Sequence, residues 1–231
     1  MSGFIQIAGI RSREEAEMLV EAGADALGFP FRLDHHAEDL PESEARRIIA
    51  GLPEKVRPVL ITYLARAEEI LDLSRYLGVR GVQLHGEIIL EEAKKLKSRV
   101  PNLWLIKSLV VRGGNEEHLS EELMNWAVLA DAFLTDTYDP ESGASGATGM
   151  IHDWGVSRRL AEQSPKPLLL AGGLNPGNVA TAIAQVRPWG VDVHTGVEDR
   201  QGWKDRRLVE NFIAEARRSF AKLSAGWGSM L

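Results

Sequence analysis

Short apolar runs without internal alternation recur along the chain. Each is followed by a stretch in which apolar residues return at three- and four-residue spacing. FIQIA, Phe4 to Ala8, is the first run; SREEAEMLVEAG follows it with apolar positions at Ala16, Leu19 and Val20 and a closing Gly23. ADALGF then leads through RLDHHAEDL and Pro41 to ESEARRIIAGL, whose first turn carries the acids that a helix N-terminus favours. RPVLIT precedes AEEILDLSRYLG, GVQLH precedes EEAKKLKSR, and LWLIKSL precedes a weaker helical pattern around HLSEELMNWAVLA. DAFLTD runs into the long loop TYDPESGASGATGMIHDW before the helix GVSRRLAEQ, and PLLLA and GVDVH are the last two strands, each with its own helix. The pattern therefore predicts eight βα units.

Buried strands that alternate strictly with helices imply a parallel sheet, and eight repeats allow that sheet to close. The expected fold is α/β, a single (β/α)8 TIM barrel over residues 1–223. Residues 224–231 form a C-terminal tail, because AGWGSML has little helical spacing; Trp227 is the one tail residue suited to docking on the barrel. An open doubly wound sheet normally carries its phosphate glycines in the first βα turn, and AGIRS offers only Gly9 there.

The composition agrees with one globular domain. The chain has 231 residues, 44% hydrophobic and 26% charged, and no apolar run approaches the roughly 18 residues of a membrane span. The first residues, MSGFIQIAGI, read as a strand rather than a secretory signal, so a cytoplasmic location is the default expectation. With no cysteine, disulfides, thiolate metal sites and cysteine nucleophiles are excluded. A net charge of −6 gives no broad basic surface for nucleic acid, though a local site can still hold a small anion. The expected partner is a small molecule, bound without nucleic acid, membrane or cofactor by a monomer or homodimer.

The best local signal for that anion is LLLAGGLNPGNV with GVDVHTGVED after it. Each is an apolar strand that runs into glycine and a helix start, which bares backbone N–H groups, and two such turns after strands 7 and 8 form the usual phosphate pocket of a barrel. Gly172, Gly173, His194, Thr195 and Gly196 are the expected phosphate-binding residues; a lone glycine turn would need no ligand to explain it. Other chemistry should lie at the C-terminal ends of the strands. Ala8 ends strand 1, Arg32, Asp34, His35 and His36 follow strand 2, and Gln83 and His85 end strand 4. Lys107 is in strand 5, Asp136 ends strand 6, and Asp192 and His194 end strand 8. Since residues i and i+2 share a face of a strand, Gln83 projects with His85, and Asp192 with His194.

QIAGI, GADALGFPF, GVQLHGE, LTDT, ATGMIHDW, LAGGLNPGNV and GVDVHTGVED, in this order, resemble the signature segments of the phosphoribosylanthranilate isomerase family. The likeness spans nearly the whole chain. It implies an Amadori rearrangement, which converts an aminoaldose phosphate into an aminoketose phosphate within tryptophan biosynthesis. An acid protonates the furanose ring oxygen, and a base removes the proton from C2 of the imine. The family's acid carries over to Asp136, and Asp192 carries over as a pocket residue. The family's base is a cysteine in a KxCGI motif at the end of strand 1, and here Ala8 stands in its place. The arginine that holds the anthranilate carboxylate in the family aligns near Ala37, with Arg32 too early to replace it. Ala147 and Met150 stand where the family has glycine and lysine, and His194 replaces the first serine after VDV.

The features that would bind ribose phosphate are thus retained, while those for proton abstraction and the anthranilate grip differ. This pattern suits a diverged isomerase or lyase with Asp136 as general acid. The alternatives are the pathway isomerase itself with a substituted base, or a phosphosugar binder without catalysis. His194 is the candidate base, because strand 8 closes beside strand 1 and imidazoles titrate near neutrality; a bond to phosphate or rim packing would explain it equally well. Asp34, His35 and His36 suit a solvated loop better than a metal site, so no metal is expected. His118 and His152 read as surface or helix-start residues.

Overall fold

The computed structural model describes residues 3–33, 38–138 and 151–227. Eight parallel strands pair in chain order: β1 (Phe4–Ala8), β2 (Ala26–Phe31), β3 (Arg57–Thr62), β4 (Gly81–Leu84), β5 (Trp104–Val111), β6 (Ala132–Thr137), β7 (Leu168–Leu170) and β8 (Gly190–Val193). The sheet closes where β8 pairs with β1, with Gln6 opposite Asp192 and Ile7 opposite Val193. A helix follows each strand: α1 (Arg13–Ala22), α2 (Glu42–Ala50), α3 (Ala67–Leu77), α4 (Leu90–Arg99), α5 (Glu116–Trp126), α6 (Trp154–Gln163), α7 (Val179–Val186) and α8 (Arg206–Trp227). No helix among the described residues is long and apolar enough to cross a membrane.

Strand alternation sorts the core into two clusters. Ala8, Val59, Ile61, Ile106, Leu134 and Leu169 belong to the set that fills the lumen, while residues of the opposite parity pack beneath the helices. Phe4 and Trp104 stand edge to face at the start of β1 and β5, 5.6 Å between ring centroids, and pack against the lumen cluster from the N-terminal end. The lumen is therefore a solid core at that end, and ligand chemistry is confined to the opposite mouth.

Some boundaries move for local reasons. β2 begins at Ala26 rather than Ala24, because the Asp25 carboxylate accepts from the Ile5 amide at 2.8 Å and from Arg217 on α8 at 2.8 Å, which makes it a tie between elements. α8 continues to Trp227, past the expected boundary at Leu223; the Trp227 side chain lies outside the described residues. Ser12 caps α1 by accepting from the Glu15 amide. The Glu15 carboxylate then reaches back to the Arg11 amide and across to the Lys204 amide, at 2.8 and 2.7 Å. One side chain thereby ties the loop after β1 to the segment that follows β8.

Candidate active site

Two glycine turns at the ends of β7 and β8 are packed back to back. Gly172 and Gly173 adopt φ of +86° and +62°, the left-handed region that side chains disfavour. A Cβ on Gly196 would lie 1.8 Å from the Leu174 carbonyl oxygen, so no other residue fits between the turns. Asparagines hold the first turn in shape: Asn178 donates to the Gly173 carbonyl at 2.9 Å and accepts from the Asn175 amide at 2.8 Å. Gly172, Gly173, Thr195 and Gly196 line one pocket together with His194, Asp136 and Asp192.

Below this pocket a polar belt crosses the lumen. Gln6 donates to Gln83 at 2.8 Å, Gln83 donates to Ser108 at 3.3 Å, and Ser108 meets His85 Nδ1 at 3.0 Å. Gln83 donates to the serine oxygen, so the serine proton is free to satisfy Nδ1, and His85 Nε2 then faces Asp136 Oδ2 at 3.9 Å. The ring of His85 also leans on Tyr63, 5.0 Å between centroids.

Both carboxylates at the pocket are buried and displaced from ordinary behaviour. Burial pushes Asp136 up to about 7 against the amide of Thr137, which donates to it at 2.7 Å, and the nearby charge of Asp192 adds to the rise. Burial likewise pushes Asp192 up to about 7, with a hydrogen bond from Gln6 and the charge of Lys204 opposing it. Asp192 Oδ1 has no hydrogen-bond partner among the described residues, and neither does Gln6 Oε1.

His194 stands beside β1. Its ring covers Gly9, where an added Cβ would lie 2.0 Å from Nε2, so Gly9 is small because the imidazole sits on it. Nε2 also lies 3.5 Å from Glu198, whose carboxylate is 2.5 Å from the buried Lys204 ammonium; that ammonium donates to the His194 carbonyl at 3.0 Å. His194 thus reaches the neighbourhood of Ala8, with its ring turned toward an acid on the rim.

The structure gives three further residues singled out from sequence definite partners. Lys107 has the opposite parity to Ser108 and pairs with Glu122 on α5 at 3.2 Å, over the ring of Trp126, at a cleft that His85 and Ser108 also line. Arg32 lies half exposed on the rim with its guanidinium on Glu42, 2.6 Å away, at the start of α2. His152 sits at a helix start, just before the N-cap Asp153 of α6, and is partly buried: its Nδ1 meets Thr137 at 2.9 Å and its Nε2 meets Ser157 at 2.6 Å, while Ser157 donates to Thr135 at 3.0 Å. Burial pushes His152 down to about 4, so the ring is neutral and carries its proton on Nε2. Asp34, His35, His36, Ala37, Ala147 and Met150 lie outside the described residues. Among the described residues no group of three or more acids and histidines is placed to hold a metal ion.

Gln6 and Ser108 were not singled out from sequence, yet they link the lumen groups. The signal was available: Gln6 shares a face with Ala8, and Ser108 shares one with Ile106 and Val110 inside an otherwise apolar strand.

Comparison with known proteins agrees with this geometry. Residues 5–215 match the family model of N-(5'phosphoribosyl)anthranilate (PRA) isomerase. The chain is 37% identical over 220 residues to N-(5'-phosphoribosyl)anthranilate isomerase 2 of Methanosarcina mazei, covering 95% of this chain and 96% of that protein. It is 38% identical over 213 residues to the isomerase of Thermotoga petrophila, covering 92% and 98%. The crystal structure of phosphoribosyl anthranilate isomerase from Thermotoga maritima superposes with a TM-score of 0.79 at 36% identity, covering 94% and 99%. A second isomerase structure, in complex with reduced 1-(o-carboxyphenylamino)-1-deoxyribulose 5-phosphate, has a TM-score of 0.77 at 34% identity, covering 94% and 99%.

Proposed function

Because the chain belongs to the N-(5'-phosphoribosyl)anthranilate isomerase family, we propose that it catalyses the family's Amadori rearrangement, with N-(5'-phosphoribosyl)anthranilate as substrate and 1-(o-carboxyphenylamino)-1-deoxyribulose 5-phosphate as product. The substrate phosphate is held by the paired glycine turns of Gly172, Gly173, Thr195 and Gly196. Asp136 is the general acid. It gives its proton to the furanose ring oxygen as the C1–O bond breaks, and the nitrogen lone pair forms the C=N bond. A base then takes the C2 proton; the C–H electrons become the C1=C2 bond and the C=N electrons return to nitrogen. The resulting enaminol tautomerises to the ketose. His194, against Gly9, and Asp192, opposite Gln6, are the candidates to accept that proton at the end of β8. Gln83 and His85 floor the sugar site.

One observation carries the reading: a carboxyl that burial raises to about 7, and so able to hold a proton near neutral pH, lines the same pocket as two phosphate-type glycine turns. Growth of a tryptophan auxotroph that lacks the isomerase tests it. The chain should restore growth and its Asp136→Asn variant should not; no growth with well-expressed wild-type protein would contradict the assignment.

A further inference from the structure

With alanine at position 8, the C2 proton needs an acceptor other than the thiol of the family motif. The register of the barrel decides which group is best placed. Position 6 of β1 lies directly opposite Asp192 of β8. In the KxCGI pattern that position is lysine; here it is Gln6, which is neutral and whose amide nitrogen bonds Gln83 across the lumen at 2.8 Å. A lysine there would set a full positive charge across from the carboxylate. Glutamine supplies at most a neutral hydrogen bond, and Asp192, which lines the pocket together with Asp136, keeps one buried oxygen without a partner among the described residues. The two departures in QIAGI thus bear on one position: one removes a base from the end of β1, and the other removes the countercharge from the acid next to it.

Resting on the isomerase reading above, we propose that Asp192 is the general base of this enzyme, taking over the C2 proton that a strand-1 thiol accepts elsewhere in the family. The Asp192 carboxylate forms the new O–H bond while the C2–H electrons move into C1=C2, and the proton is afterwards returned to Asp136, whose own proton now resides on the product's ring-derived hydroxyl. No oxidant or co-reactant is needed.

The charges around Asp192 fit the role. Asp136 on β6 faces it with like charge, so the pair favours holding one proton between them, one partner as acid and the other as base. Lys204 is the nearby cation, but Glu198 takes its ammonium at 2.5 Å. His85 faces Asp136 rather than Asp192, and His194 Nε2 is drawn toward Glu198. In this arrangement His194 is a rim residue turned toward Glu198, while Asp192 lines the pocket and carries an oxygen that no described residue bonds.

The test compares Asp192→Asn, His194→Ala and the double variant Asp192→Asn with Ala8→Cys, using N-(5'-phosphoribosyl)anthranilate for turnover and reduced 1-(o-carboxyphenylamino)-1-deoxyribulose 5-phosphate as the binding probe. Asp192→Asn should lower kcat by about 10² to 10⁴ while probe affinity stays within about threefold. Restoring the thiol at position 8 should recover at least about tenfold of that loss. Gln6→Lys should move the acidic limb of the kcat/KM profile to lower pH, because the added cation favours ionised Asp192. Retention of wild-type kcat by Asp192→Asn, a loss that the thiol does not recover, or a loss confined to His194→Ala would each overturn the assignment. If wild-type enzyme itself fails to turn over, the isomerase reading has failed and takes this one with it; an active wild type with an active Asp192→Asn variant removes only the base.

Discussion

Gln6 on β1 donates to Gln83 on β4 at 2.8 Å, joining through the lumen two strands that are not neighbours in the sheet. Gln6 also lies opposite Asp192 at the pocket, while apolar side chains make up the lumen cluster. Gln83→Leu leaves the buried Gln6 amide without its acceptor and takes one of the donors from the Ser108 oxygen, which still meets His85. It should cost roughly 1–3 kcal/mol, read as a lower urea midpoint at unchanged slope.

Substitution at the phosphate turns should act through backbone geometry. The Cβ of Gly196→Ala would meet the Leu174 carbonyl at 1.8 Å, and a backbone atom has no rotamer with which to retreat. The two turns must separate, so affinity for inorganic phosphate should fall by at least about tenfold, roughly the worth of one or two charge-assisted hydrogen bonds. Calorimetric titration reads the loss directly; unchanged affinity would place the phosphate elsewhere.

The pocket acids should leave opposite signatures from His152 in stability against pH. Asp136 titrates at about 7 in the fold against an ordinary 3.8. Its contribution is fully present below the ordinary value and is lost as pH rises through about 7. Asp136→Asn should thus gain on wild type by on the order of a few kcal/mol between about pH 4 and about pH 8. His152 titrates at about 4 in the fold against 6.5. Its contribution is present above the ordinary value and is lost as pH falls through about 4, so wild type should lose its advantage over His152→Gln on acidification. Urea unfolding of each variant at several pH values gives both slopes, and a difference that does not change with pH would contradict the burial argument.

Most of the architecture was legible in the sequence, because each βα unit carries its own periodicity and caps. The apolar spacing of Ala16, Leu19 and Val20 with a closing Gly23 marked α1, and three leucines before AGGL marked β7. Asp136, Asp192 and the glycine turns could be placed because a barrel puts its chemistry at strand ends. Lys107 could not: its ionic partner, Glu122, lies on the following helix, and only the strand's parity in three dimensions shows which way the lysine turns. His152 was obscured for a similar reason, since Thr137 and Ser157 reach it from two different elements. The Gln6 to Gln83 bond spans 77 residues, a separation no local pattern encodes.

Lys107 gives a direct check on that pairing. Its ammonium is buried against Glu122 and Trp126, so Glu122→Gln should destabilise the fold by roughly 1–3 kcal/mol by leaving the ammonium poorly compensated. The same variant should hold KM within about twofold, since a twofold change is less than 0.5 kcal/mol and no substrate contact is altered. A large rise in KM at unchanged stability would place Lys107 in the substrate site.

The most direct test of the central claim is turnover of N-(5'-phosphoribosyl)anthranilate by the purified protein, followed as loss of anthranilate-type fluorescence beside Asp136→Asn. Wild type should consume the substrate, and the variant should be slower by about 10² to 10⁴ while still binding the reduced product analogue. An inert wild type that nevertheless binds that analogue would show a phosphosugar site without isomerase chemistry.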